Sequence, residues 1–316
     1  MDLRHIRYFV AVAEEAHFGR AAKRLNIVQP ALSMQIRALE TELGTVLFER
    51  TSRRVVLTEA GALFRIEAER TLQQAARAKD VAQRASRGEV GSVRIGFVAS
   101  AAVAGKVSAD LSALRLRYPA VSVELTELFP LRQIEAVLSG QLDAGYCSDF
   151  HYSEASKLAV ERIAAWRWMI ALASHHPLAA RKTLPAKALR GEAFVVFAAN
   201  ASDDGQMKLL RQILGQEPHV LHRVASTLTH LTFAAAGVGM ALVPASLQSY
   251  SIPNIVYRPL ADFPERADLL LISRPNETSP AVRRFVEIAR ASELASGRNL
   301  SSRTLKWKRA TRTSPP

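Results

Sequence analysis

The sequence predicts a chain of mixed class: a small α-helical N-terminal module, one long helix, and a larger α/β domain. Three observations predict it. Apolar residues recur at helical spacing through the first 43 residues. A stretch rich in Ala, Arg, Gln and Glu then runs to about Arg87. From Val93 onward, short apolar runs of strand type alternate with helical ones, the pattern of a mostly parallel sheet covered by helices.

Each element of the N-terminal module has a local cause. Leu3, Ile6, Val10 and Ala13 lie on one face of a helix over 3–15. Phe18, Ala21, Ala22 and Leu25 mark a second, short helix, and Asn26-Ile27-Val28 makes a tight connection. Pro30 suits the first turn of a third helix, where its missing N–H costs nothing. Leu32, Ile36, Leu39 and Leu43 form that helix's buried stripe, and Gly44 ends it as a left-handed cap. Leu47-Phe48 and Val55-Val56-Leu57 read as two short strands around the polar, basic tip Thr51-Ser52-Arg53-Arg54. Thr58 caps the long helix, with Glu59 at its positive end. Leu63, Ile66, Leu72, Ala76 and Val81 are expected to form a thin apolar stripe along it, which needs a partner helix to cover it.

Arg87-Gly88-Glu89-Val90-Gly91 reads as a hinge into the α/β domain. The expected order there is strand 93–98, helix near 101–117, strand 121–125, helix near 131–139 and strand 144–147. A second series begins near 167–172. It continues with strand 194–197, helix 203–214, strand 219–224, a helix to Ala236 and strand 240–243. Strand 269–273 and a helix opened by Ser279-Pro280 close the fold. The expected divisions are 1–58, 59–88 and 91–296, the last with one lobe from 91–164 and 266–296 and another from 165–265. Residues 297–316 are basic and without periodicity, so a disordered tail is expected.

Charge narrows the partners. The chain of 316 residues carries a formal net charge of +13. Residues 17–57 hold seven basic side chains against three acidic, and the tail holds six against none. A basic patch on a small module fits a polyanion. No apolar run reaches the ~20 residues of a membrane span, so no membrane partner is expected. The polar start Met1-Asp2-Leu3-Arg4-His5 predicts no signal peptide. One cysteine, Cys147, permits no intrachain disulfide and fits a cytoplasmic protein. No metal-ligand spacing, cofactor loop or nucleophile–base pair is legible, so neither a cofactor nor an enzyme is expected.

Residues 17–61 read HFGRAAKRLNIVQPALSMQIRALETELGTVLFERTSRRVVLTEAG. This resembles the signature of LysR-type transcription regulators through Ala21-Ala22, Leu25, Gln29-Pro30, Ser33, Gln35-Ile36, Leu39-Glu40, Leu43-Gly44, Leu47 to Arg50, Leu57-Thr58 and Ala60-Gly61. The resemblance runs on to about Arg290 through Gly96-Phe97-Val98, Ser100, Asp143-Ala144-Gly145, His176-Pro177-Leu178, Ala235 to Gly239 and Val243-Pro244. Its flavour is that of the branch controlling aromatic-compound catabolism. The resemblance implies a winged helix-turn-helix, a long linker helix, and a two-lobed α/β effector domain like a periplasmic binding protein. It also implies double-stranded operator DNA, a small-molecule effector, self-association as a dimer of dimers, and RNA polymerase as partners.

The third helix presents Pro30, Ser33, Met34 and Arg37 opposite its buried stripe, with Gln29 at its start. A major groove admits such a helix, and Gln, Ser and Arg bond base edges or phosphates there. Val28 stands where the family commonly has a capping Ser, and Met34 where it commonly has Arg. For Met34, contact with a thymine methyl and simple exposure are both open. Arg53 and Arg54 at the wing tip suit the minor groove or phosphates, and Arg20 and Lys23 suit phosphate or plain solvation. In the effector domain, Ser100 follows a strand at a helix start, where N–H groups favour a carboxylate. The other cleft candidates are Pro130, Ala198, Asn200, Ser202, Thr227 and Thr229. Phe129-Pro130 replace a small polar residue common in muconate sensors, which points to a more apolar effector. A solute-binding protein and an enzyme on a similar two-lobed fold are the rival readings.

Overall fold

The computed structural model describes residues 1–50, 55–148, 153–198 and 204–291. It divides into two compact units, 1–84 and 85 onward. The wing residues Arg53 and Arg54, the cleft candidates Asn200 and Ser202, and the tail 297–316 lie outside the described residues.

In the first unit, α1 (Leu3–Glu15), α2 (Phe18–Arg24) and α3 (Gln29–Leu43) follow the expected boundaries. Asp2 caps α1 by accepting from the Arg4 and His5 N–H groups. His17 does the same for α2 through Nδ1. Gly44 closes α3 at φ 67°, the left-handed position that its sequence predicts. The strands β1 (Phe48–Arg50) and β2 (Val55–Leu57) pair antiparallel, with Phe48 opposite Leu57. Ile6, Phe9, Leu32, Ile36, Leu39 and Phe48 fill one core. Leu43 is a correction: it is exposed, because the last turn of α3 runs past Leu39, the final α3 residue of that core.

The long helix α4 (Glu59–Ser86) starts where expected, with the Thr58 hydroxyl oxygen accepting from Gly61 N–H at 2.9 Å. Its apolar stripe is a second correction. At about 100° per residue, Leu72 lies half a turn round from Leu63. The structure accordingly shows two faces. Phe64, Ala68 and Leu72 pack on the core of the N-terminal unit. Leu63, Ile66 and Val81 are 64%, 50% and 50% exposed on the other side.

The second unit contains β3 (Val90–Phe97), α5 (Ala99–Val103), α6 (Lys106–Arg117), β4 (Ala120–Glu127), α7 (Pro130–Leu138) and β5 (Ala144–Ser148). These are followed by β6 (Ala159–Ala173), β7 (Ala193–Phe197), α8 (Gly205–Leu214), β8 (His219–Val224), α9 (Thr227–Ala235) and β9 (Ala241–Pro244). Then come β10 (Ile255–Pro259), β11 (Arg266–Ser273) and α10 (Pro280–Ala291). Strand β10 has no counterpart in the sequence reading. The helix expected near 101–117 is broken into α5 and α6 at Gly105, which takes φ 77°. Gly88 in the hinge has φ 73°, and a Cβ there would fall 2.6 Å from the Pro280 carbonyl oxygen, so only glycine fits.

The sheet is mixed rather than mostly parallel. β3 runs parallel to β4 and β5, whereas β11 pairs antiparallel with both β5 and β6. β6 is one 15-residue strand spanning two lobes. Through Arg167 it pairs with β11; from Trp168 it pairs with β9 and, from Met169, with β10. One lobe packs around Val93, Ile95, Tyr146 and Phe285, the other around Ile170, Phe194, Leu210 and Leu242.

A charged pair sits inside the first lobe. Lys106 and Asp110 are 1% and 0% exposed. Lys106 Nζ donates to both Asp110 oxygens, at 2.9 and 2.8 Å, and to the Ala289 carbonyl at 2.7 Å. The Tyr146 hydroxyl donates to the same carboxylate. Burial lowers the pKa of the Lys106 ammonium and its Asp110 partner raises it; together these bonds satisfy charges that would otherwise be costly to desolvate.

Candidate functional site

Two sites follow from this fold, one in each unit. In the first, the core holds α3 by Leu32, Ile36 and Leu39 and turns the opposite face outward. Gln29, Pro30, Met34 and Arg37 are exposed there and Ser33 is half-buried. The Arg37 guanidinium has no partner among the described residues. Val28 at the N-cap supplies no side-chain hydrogen bond, so the first-turn N–H groups of α3 lack the cap that a Ser would provide. Glu40, on the inner side, accepts from the Leu47 and Phe48 N–H groups at 2.9 and 3.2 Å and so fixes the start of the wing against α3.

The flanking cations differ. Lys23 is exposed without a described partner. Arg20 is exposed but engaged within its own unit, its Nε 3.4 Å from Glu15 and its Nη2 donating to the Glu15 carbonyl.

In the second unit a cleft opens between the lobes, lined by Val98, Ser100, Ser148, Trp168, Phe197, Gln206, Thr227, His230 and Pro244, among others. It holds about 440 Å³ of empty space, including its open mouth. Ser100 is placed where the sequence suggests, in the first turn of the short helix α5. Thr227 also lines the cleft. Thr229 does not: it is exposed, and its N–H serves the Ser226 cap of α9. Residues three apart share a helix face and residues two apart do not, so His230, not Thr229, stands beside Thr227. Pro130 and Ala198 are buried but do not line the cleft. Of their neighbours, Phe197 lines the cleft and packs against Phe129, with ring centroids 4.7 Å apart.

Sequence reasoning missed His230, Gln206, Trp168, Phe197 and Ser148. Gln206 ties two strands together: its Oε1 accepts from Phe197 N–H at 2.6 Å and its Nε2 donates to the Leu242 carbonyl at 2.9 Å. His230 Nε2 donates to the Val195 carbonyl at 2.8 Å, and burial pushes its imidazole down to about 4 against the opposing effect of that bond. It is therefore neutral at physiological pH. The His230–Thr227 spacing was the one available signal.

The family model for the bacterial regulatory helix-turn-helix protein of the lysR family matches residues 3–62. The model for the LysR substrate binding domain matches residues 86–293. The chain belongs to the LysR family. Among similar proteins, the HTH-type transcriptional regulator AlsR of Bacillus subtilis is 32% identical over 295 residues, covering 93% of this chain and 97% of that protein. The HTH-type transcriptional regulator ClcR of Pseudomonas putida is 32% identical over 299 residues, covering 91% and 98%. Full-length CbnR, solved in complex with its target DNA, superposes with a TM-score of 0.75 at 29% identity, covering 92% of this chain and 99% of that one. This LysR-family chain is thus a DNA-binding transcriptional regulator with an effector-binding domain, not an enzyme. None of its described helices is long and apolar enough to cross a membrane.

Proposed function

We propose that this regulator reads operator DNA with the outward face of α3, namely Gln29, Pro30, Ser33, Met34 and Arg37. Lys23 and the wing residues Arg53 and Arg54 bind the backbone, and Arg20 does so after exchanging its Glu15 contacts. The exposed, unpaired Arg37 above the buried stripe of α3 carries this reading. The regulator works in the cytoplasm as a dimer of dimers, which needs two distinct self-interfaces, and two exposed apolar surfaces support it. One is Leu63, Ile66 and Val81 on α4. The other comprises the edge strands β4 and β8 with their neighbouring helices, where Leu125, Leu221, Leu116 and Leu228 are exposed. Unpaired edges with apolar side chains invite a partner.

The effector, a small carboxylate or another metabolite of aromatic catabolism, binds in the interlobe cleft with Ser100 and Thr227 among its contacts. Its binding favours one arrangement of the lobes. The paired DNA heads are thereby respaced, altering DNA bending and contact with RNA polymerase. A differential affinity of ~1–3 kcal/mol between two states suffices for such coupling. The test is Ser100→Ala, assayed for operator binding and for reporter response to a ligand found by thermal-shift screening. The variant should fold and bind operator, yet respond only at about tenfold higher ligand, as loss of one buried hydrogen bond predicts. An unshifted dose–response curve removes Ser100 from the site. Loss of operator binding in the absence of ligand makes it a structural residue.

A further inference from the structure

We propose that the cleft takes an uncharged aromatic molecule bearing a hydroxyl group, whose O–H is donated to His230 Nδ1. This names the ligand class of the cleft assigned above and rests on that assignment.

Three features point this way. The first is charge. No Lys or Arg lines the cleft among the described residues, and the charged side chain in the pocket adjoining it at Ser100, Ser148 and Trp168 is the acidic Asp268. The segments that follow Ser148 and Ala198 in the chain, 149–152 and 199–203, also contain no Lys or Arg. A carboxylate brought into this space leaves water without meeting a cationic side chain, which is unfavourable unless it is neutralised. Three helices begin at the cleft, α5, α8 and α9, of five, ten and nine residues; their first-turn N–H groups offset part of that cost but bring no full counter-charge.

The second feature is His230, which is 2% exposed. A carbonyl only accepts, so the 2.8 Å contact with the Val195 carbonyl puts the ring proton on Nε2. Nδ1 is then a bare acceptor, and no described group donates to it. Burial keeps the ring from taking a second proton, with the imidazole held at about 4. An acceptor that takes no bond from the described residues suits a donor on the ligand. A hydroxyl supplies one, whereas a carboxylate would set oxygen lone pairs against the nitrogen lone pair. The Ser100, Ser148 and Thr227 hydroxyls either donate or accept, so they suit other polar atoms of such a ligand.

The third feature is shape. The His230 and Phe197 rings are stacked at 27°, with centroids 6.1 Å apart, and Phe129 lies against Phe197. Trp168 forms another part of the lining. Flat aromatic walls favour a flat aromatic guest.

The experiment is calorimetric titration of the full-length protein with three probes of similar size: phenol, anisole and benzoate. Phenol should bind. Anisole, which keeps the ring and oxygen but lacks the donor, should bind about tenfold more weakly or worse. Benzoate at neutral pH should not displace phenol. His230→Phe should abolish the preference for phenol over anisole. His230→Gln, whose amide keeps a donor for Val195 and an acceptor for the ligand, should retain it. If His230→Phe does not fold, the phenol–anisole comparison on the unaltered protein decides alone. Equal binding of phenol and anisole, benzoate binding as tightly as phenol, or no phenol binding at millimolar concentration overturns the proposal. Binding of benzoate that Ser100→Ala weakens would leave the cleft assignment standing while this ligand class falls. If no probe or screened carboxylate binds and Ser100→Ala changes nothing, the cleft assignment falls as well.

Discussion

Ile66→Glu tests the outer face of α4. Leu63, Ile66 and Val81 are 64%, 50% and 50% exposed in the single chain. Full burial of such a side chain is worth about 1.5–3 kcal/mol, so each retains roughly 1 kcal/mol to be gained in an interface. Two helices pairing through this face bring six such side chains together, or about 6 kcal/mol in all. Losing the Ile66 pair and burying two like charges in its place should cost at least about 3 kcal/mol, a hundredfold or more in dimer dissociation constant. Sedimentation velocity should show the variant as smaller species at micromolar concentration. Operator affinity should fall with it, since one head covers only half of a two-fold site. Leu72→Ala is the control. Leu72 packs on the core of the N-terminal unit, so its truncation should lower thermal stability before it changes assembly. An unchanged sedimentation coefficient for Ile66→Glu, or dissociation caused by Leu72→Ala instead, would refute the division of α4 into an inner and an outer face.

The remaining predictions concern recognition, acid stability and the tail. Arg37→Ala and Ser33→Ala should each weaken operator binding by ~1–3 kcal/mol without altering the unfolding temperature, because both lie off the buried stripe; footprints and affinities equal to those of the unaltered protein would remove them from the contact surface. Burial alone would raise the pKa of Asp143, but its hydrogen bonds with Arg94 and Arg274 outweigh burial and hold it below the ordinary 3.8. Its contribution is therefore complete above that value and is lost as pH falls below it. In acid titrations of unfolding, Asp143→Asn should start less stable near neutrality and lose less over that low-pH window; parallel curves would contradict this. Removing residues 297–316 takes away six positive charges. Non-specific DNA affinity and its salt slope should drop with sequence preference intact, whereas altered preference would assign the tail a role in recognition.

The sequence by itself determined the features that arise within a few residues of one another. Helix periodicity, the Gly44 cap, the Thr58 cap and the two wing strands are local, and the structure places them within a residue or two of expectation. The outward face of α3 was legible for the same reason, since one helix carries both that face and the stripe that buries its back. Tertiary structure decided the rest. Lys106 and Asp110, four apart on α6, have the spacing of a solvated surface pair, yet α10 and Tyr146 close over them. Which side of α4 is inner depends on where Phe9 and Phe48 sit, and no count of apolar residues along α4 contains that. The cleft draws Ser100, Ser148, Trp168, Phe197, Gln206 and His230 from positions 100 to 230 of the chain. No local pattern marks them as neighbours, because a strand or helix folds identically whether its exposed end meets water or the opposite lobe. The neutral His230 is the sharpest case: burial sets its charge state against the opposing effect of its bond to the Val195 carbonyl, 35 residues away in sequence.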